Sequence, residues 1–259
     1  MKISRSFSCL NRRRMLSLMS GTAAVTLIGC FRDSSDATES LVSPGSTRSA
    51  SIPEQATTQI AQSTPGCIVR PQQTEGPYFV DERLNRSDIR SNPADNAIKA
   101  GVPLRLVFQV SQLSGNACQP LSNATIDIWH CDAEGVYSDV QDTQGQKFLR
   151  GYQMTDRNGT AQFVTIYPGW YPGRTPHIHF KIRTSSPTQA ADEFTSQLYF
   201  EDAVTDQVYA QPPYTTREAR SVRNDRDGIF RRGGEQLILP VTRSGEGYEG
   251  RFEIGLELA

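Results

Sequence analysis

The sequence predicts an all-β fold: an antiparallel β-sandwich with long loops and little helix. Apolar residues recur at every second position in short runs, turn-forming residues separate those runs, and no stretch carries a long apolar pattern of helical period. Many short strands without βαβ alternation argue for a sandwich or barrel. "PLRLVFQVS" (103–111) puts Leu104, Leu106, Phe108 and Val110 on one face. "ATIDIWH" sets Ile126, Ile128 and His130 against Thr125, Asp127 and Trp129. "AQFVTI", "HIHFKI", "SQLYF", "QLILPV" and "YEGRFEIGLEL" read as further strands. Asn158-Gly159, between "YQMTD" and "TAQFVTI", is a strong hairpin signal. The segment "REARSVRNDRDGIFRRGG" carries no readable motif and is expected to be a mobile loop of mixed charge.

The chain has 259 residues, of which 37% are hydrophobic and 21% charged. Residues 1–29 hold Lys2, Arg5, Arg12, Arg13 and Arg14 and no acidic residue, followed by the apolar run "MLSLMSGTAAVTLIG". That run is shorter than the ~20 apolar residues a membrane span needs. The pattern is that of an export signal. "NRRRMLS" is similar to a twin-arginine motif, and "LIGC" to a lipobox that would make Cys30 a lipidated first residue. A plain secretory signal is the alternative. Without residues 1–29 the basic count falls from 27 to 22 against 28 acidic residues, a net charge of −6. No basic stripe suggests a nucleic-acid partner, and membrane contact would come only through the lipid on Cys30. Residues 30–65 are rich in Ser, Thr, Ala, Gln and Pro, and read as a disordered tether. The folded domain is expected over 66–259, in the cell envelope or another extracytoplasmic space.

Cys67, Cys118 and Cys131 remain in that oxidising compartment. Three is odd, so one bridge and one free thiol is the simplest outcome. Cys67–Cys118 is favoured because it would tie the domain's start to a loop. Cys131 lies in an apolar strand pattern and reads as a buried thiol. Other pairings stay open.

The chemistry concentrates in "YPGWYPGRTPHIHF" (167–180). On a strand, His177 and His179 project to one face while Ile178 points to the other. Two imidazoles make half of a metal site, though two structural or surface histidines fit as well. Tyr171 lies six residues before His177 across a Pro- and Gly-rich loop, and Arg174 three residues before it. A phenol has a pKa of ~10, so a tyrosinate ligand at neutral pH calls for a strongly Lewis-acidic ion such as Fe(III). From spacing alone, Tyr171 is equally an aromatic loop residue that shields the sandwich edge.

Four segments in order resemble the intradiol ring-cleaving dioxygenases, the family of catechol and protocatechuate dioxygenases. They are "TEGPYF" (74–79), "IDIWHCDAEGVYSD" (126–139), "YPGWYPGRTPHIHF" and "SQLYF" (196–200). The resemblance runs from about Cys67 to Phe200. It implies iron ligands Tyr137, Tyr171, His177 and His179, holding one non-haem Fe(III) per chain. It implies that Arg174 stabilises charged substrate and intermediates, and that Gln197 and Tyr78 line the pocket. Tyr171 would act as the base that leaves the metal and Tyr137 as the permanent ligand. His130, in "WHCD", is not a family ligand and is expected to be structural. The implied activity is cleavage of a catechol-type diol by O₂ to a muconate-type diacid. "WHCD" and the export signal are similar to a secreted branch of the family. The polar tether stands where the cytosolic catechol enzymes carry a helical dimerisation region, so their substrate rules need not transfer. Two rival readings are a non-catalytic prealbumin-like sandwich at the cell surface and an enzyme using the His-x-His pair for copper or zinc.

Overall fold

The computed structural model describes residues 67–115, 117–184 and 192–258. The expected export signal, the tether and Cys30 lie outside the described residues. Among the described residues no helix is long and apolar enough to cross a membrane.

Among the described residues nine strands form two sheets. In the first, β1 (Pro103–Ser114) pairs with β9 (Gly247–Glu257) on one edge, and β9 with β8 (Val241–Ser244). On its other edge β1 pairs first with β5 (Thr160–Ile166) and then with β2 (Ala117–Pro120). The second sheet runs β4 (Arg150–Met154), β3 (Thr125–Trp129), β6 (His177–Arg183), β7 (Glu193–Tyr199). Among the described residues, every pairing between two of these strands is antiparallel except β1 with β9, which is parallel.

The core lies between the sheets. Leu104, Leu106, Phe108 and Val110 are fully buried, as their alternation requires, and meet Ile126, Ile128, Ile178, Phe180 and Phe252 in one cluster. Each such side chain contributes roughly 1.5–3 kcal/mol by leaving water. Phe108 contacts Phe163, Phe180 and Phe252 at once, so Phe108→Ala should cost about 3–5 kcal/mol. Cys67 and Cys118 form a disulfide that closes the start of the domain onto β2, and Cys131 is a buried free thiol.

Several expectations need correction. Asn158-Gly159 forms a tight turn, with Asp156 Oδ1 accepting the Asn158 and Thr160 N–H groups, but no hairpin follows. Its arms belong to different sheets: β4 pairs with β3, and β5 with β1. Thr155, just before the turn, bonds the Leu121 carbonyl and the Ala124 N–H, while the Gly159 carbonyl accepts from Val110. The turn is therefore an arch between layers. "QLILPV" is not a strand: Gly234–Leu237 is a short 3-10 turn, Ile238 makes a single bridge to Tyr199, and β8 begins only after Pro240, which has no N–H to give a ladder. One short helix, α1 (Asp202–Tyr209), went unread because eight residues with Thr205 and Val208 buried leave almost no periodic signal. The charged segment 217–234 is anchored, with Asn224 and Asp227 both buried.

Candidate metal centre and its loops

The site lies on the face of the second sheet that points away from the shared core. Register builds it. Opposed residues in antiparallel strands share a face, and the pairings Arg150–Trp129, Trp129–His179 and His179–Gln197 set four side chains in a row across β4, β3, β6 and β7. Trp129 stacks flat on His179, with ring centroids 5.0 Å apart and planes 7° apart. His177 sits one pleat along, paired with Tyr199.

Two loops bring the phenols over this row. Tyr137 lies in the loop between β3 and β4, and Tyr171 in the loop between β5 and β6. Asp132 shapes the first loop: Oδ1 accepts from Glu134 and Val136, and Oδ2 pairs with Lys99 at 2.9 Å. Two glycines press the loops together. A Cβ on Gly135, whose φ is +82°, would run into the Trp170 carbonyl, and one on Gly169 into the carbonyls of Asp132 and Ala133. The Gly169 N–H donates to the Asp132 carbonyl, and Arg217 ties the carbonyls of Trp170 and Ala133.

His177 Nε2 thus stands 3.1 Å from His179 Nε2, 3.2 Å from the Tyr171 hydroxyl and 3.4 Å from the Tyr137 hydroxyl. Donors sharing one ion at ~2 Å stand ~3 Å apart, and His177 Nε2 stands at about that distance from each of the other three. The donor chemistry fits too. Burial pushes His177 down to about 3 and His179 well below its usual value, so both imidazoles are neutral. Thr175 O accepts from His177 Nδ1 at 2.7 Å, which assigns the lone pair to Nε2. Burial raises Tyr171 to about 12 and Tyr137 well above the ordinary phenol value. Only a strongly Lewis-acidic ion would hold them as phenolates. Among the described residues no three His, Cys, Asp or Glu side chains gather as a metal-binding group; here half of the donors are phenols.

Arg174 lies beside this centre. Its NH1 is 3.3 Å from His177 Nε2, its NH2 donates to Gln197 Oε1 at 2.5 Å, and its Nε to Asp227 at 2.8 Å. Gln197 is buried and donates in turn to the Thr74 carbonyl. Tyr78 stacks on Tyr137 with centroids 4.5 Å apart and meets Tyr171 edge-on at 6.0 Å. A cavity of about 220 Å³ opens between Tyr78, Tyr137, Val140 and Thr143. A larger one, about 360 Å³, lies elsewhere, lined by Ile182, Phe194 and Leu256, and touches none of these residues. His130 turns inward, with Nε2 on Thr165 Oγ1 and Nδ1 on the Cys131 carbonyl. Cys131, raised to about 12 by burial, points its Sγ at the Gly169 carbonyl, 3.5 Å away.

The sequence reading missed Asp227, Arg150 and Trp129. Arg150 is buried and donates through Nε and NH2 to the Ser138 carbonyl, which braces the residue after Tyr137. Trp129 and Arg150 could have been found by pairing the strands in register. Asp227 could not, since it sits in an ordinary Asp-Gly turn signal.

Residues 74–224 match the family described as Dioxygenase. The chain is 30% identical over 125 residues to hydroxyquinol 1,2-dioxygenase of Corynebacterium glutamicum, covering 41% of this chain and 39% of that protein. It is 27% identical over 159 residues to chlorocatechol 1,2-dioxygenase of Cupriavidus pinatubonensis, covering 51% and 56%. The matches thus span about two-fifths to just over half of these relatives. Among solved structures, an intradiol ring-cleavage dioxygenase from Tetranychus urticae superposes with a TM-score of 0.61 at 30% identity, covering 74% of this chain and 94% of that one. The dioxygenase domain of a carbohydrate-binding fusion from Streptomyces sp. SirexAA-E gives 0.53 at 31% identity, over 74% and 100%. With two sheets, a tyrosine- and histidine-lined centre and these relatives, the chain belongs to the intradiol ring-cleavage dioxygenase family.

Proposed function

We propose that this protein cleaves a catechol-type diol between its two hydroxyl-bearing carbons, incorporating both atoms of O₂ to give a muconate-type diacid. The observation that carries the reading is the convergence of His179, Tyr171 and Tyr137 within 3.4 Å of His177 Nε2. These four residues would hold one non-haem Fe(III), which when bound supplies Lewis-acid activation of the aromatic ring toward O₂.

The chain's own groups do the rest. The diol enters beside Tyr78, whose ring offers a stacking wall next to Tyr137. Tyr171, which the bound ion would hold as a phenolate, takes a proton from a substrate hydroxyl on Oη and becomes a neutral phenol. Tyr137, the more deeply buried phenol, stays in place. Arg174 keeps a permanent positive charge at the edge of the centre, where negative charge on oxygen accumulates during cleavage. Gln197 holds that guanidinium from the strand side. Trp129 covers the back of His179 and excludes water.

Purified protein should contain a single iron per chain, show a visible phenolate-to-iron band and consume O₂ when catechol is added. Iron-free protein that still cleaved catechol would overturn the reading. The same proposal places the enzyme outside the cytoplasm, held by a lipid on Cys30; Cys30→Ser should release it from the membrane fraction, and retention there would count against the anchor.

A further inference from the structure

We propose that Asp227 is a positioning residue for this centre: one buried carboxylate orients both the charge of Arg174 and the loop that aims His177. This rests on the dioxygenase reading and adds to it. The family match ends at residue 224, three residues short of Asp227.

The geometry is specific. Asp227 is 0% exposed. Its two oxygens face different ways. Oδ1 accepts the N–H groups of Ile229 and Phe230, at 2.7 and 3.1 Å, and so closes its own turn. Oδ2 serves the site: it accepts Arg174 Nε at 2.8 Å and the Thr175 N–H at 2.9 Å. A buried carboxylate without partners would be expelled or protonated; four donors make this one stable as an anion.

Both contacts lead to the metal centre. With Nε held by Asp227 and NH2 by Gln197, the third nitrogen, NH1, stands 3.3 Å from His177 Nε2. A guanidinium is planar, so fixing two of its nitrogens determines where the third points. The second contact pins Thr175, whose carbonyl accepts from His177 Nδ1 at 2.7 Å and whose hydroxyl bonds Asn224. Asn224 is tied in turn to the Phe200 carbonyl at the end of β7. The 224–230 turn is therefore a clamp closed on the 174–177 segment from outside the sheet. Asp227 touches no substrate in this arrangement and acts only through Arg174 and Thr175.

The test is a double-mutant cycle in the full mature, iron-loaded protein, with Asp227→Asn, Arg174→Gln and the double variant. Turnover of catechol and anaerobic titration with 4-nitrocatechol are both read. Asp227→Asn should lower kcat/KM on the order of 100-fold and weaken 4-nitrocatechol binding while iron content stays at the wild-type level. In the Arg174→Gln background Asp227→Asn should add clearly less than it costs alone, because only the route through Thr175 remains. Asp227→Glu, which keeps the charge one methylene further out, should recover part of the loss; it also carries the test if the amide variant does not fold. Additive effects, or equal loss of iron and melting temperature without a change in kcat/KM, would mark a merely structural residue and overturn the proposal. If wild-type protein neither binds nor cleaves a catechol, the dioxygenase reading falls. The positioning role is then decided by the crystal structure of Asp227→Asn: a guanidinium displaced from Gln197 and His177 supports it, and an unmoved one overturns it.

Discussion

His177 Nε2 and His179 Nε2 face each other at 3.1 Å, and His177 Nδ1 is engaged by the Thr175 carbonyl. His179 Nδ1 is buried with no hydrogen-bond partner among the described residues. Two neutral imidazoles so placed turn ring nitrogens toward one point, where a cation is the natural partner for their lone pairs. Either His→Ala change should therefore lower iron affinity by more than the roughly 10–100-fold typical of losing an outer partner. Metal analysis after dialysis against a chelator checks this. A fully loaded His179→Ala protein would remove His179 from the ligand set.

Tyr137 and Tyr171 should not behave alike. Tyr137 is almost fully buried and stacked under Tyr78, while Tyr171 sits on the more open loop beside Arg174. Tyr171→Phe is expected to slow substrate deprotonation in stopped-flow experiments more than it lowers iron content. Tyr137→Phe should lose iron. The reverse pattern would exchange the two roles.

The two loops depend on glycine in a way that a pair of variants can separate. Gly135 combines φ +82° with contact against the Trp170 carbonyl, whereas Gly145 has φ +83° and open space. Alanine in the left-handed region costs about 1–2 kcal/mol at either position. Only Gly135→Ala should also push the Tyr137 loop off the Tyr171 loop. Its visible iron band should shift or vanish, while Gly145→Ala only lowers the melting temperature. Equal spectra for the two variants would show that the contact does not set the distance between the phenols.

What the sequence made legible follows from the range of each interaction. Strand alternation is local, so the buried face of β1 could be read from Leu104, Leu106, Phe108 and Val110. The placement of His177 and His179 on one face is equally local. Turn chemistry is local too, but it says nothing about which sheet each arm joins, and so Asn158-Gly159 was read as a hairpin when it is an arch. The Trp129–His179–Gln197 row needs strand register, which no short motif carries. The Arg174–Asp227 pair spans 53 residues and joins a recognisable motif to a segment without one. Only folding makes them neighbours.

His130 should make the fold sensitive to acid. It is fully buried between Thr165 and the Cys131 carbonyl, and burial lowers it from 6.5 to about 4, with Arg150 acting in the same direction and Asp132 against it. The unfolded chain takes up a proton near pH 6.5 and the folded chain only near 4. Stability is thus complete above pH 6.5 and is lost as pH falls toward 4. Between pH 7 and pH 5 this one group should remove about 2 kcal/mol, on the order of 5 °C in melting temperature for a domain of this size. His177 and His179 shift in the same direction, but bound metal would hold them unprotonated. The comparison is therefore made on iron-loaded protein. His130→Gln keeps a polar side chain facing Thr165 but cannot titrate, so its melting temperature should fall less between pH 7 and pH 5 than that of the wild type. Equal falls in the two proteins would assign the acid sensitivity to other groups.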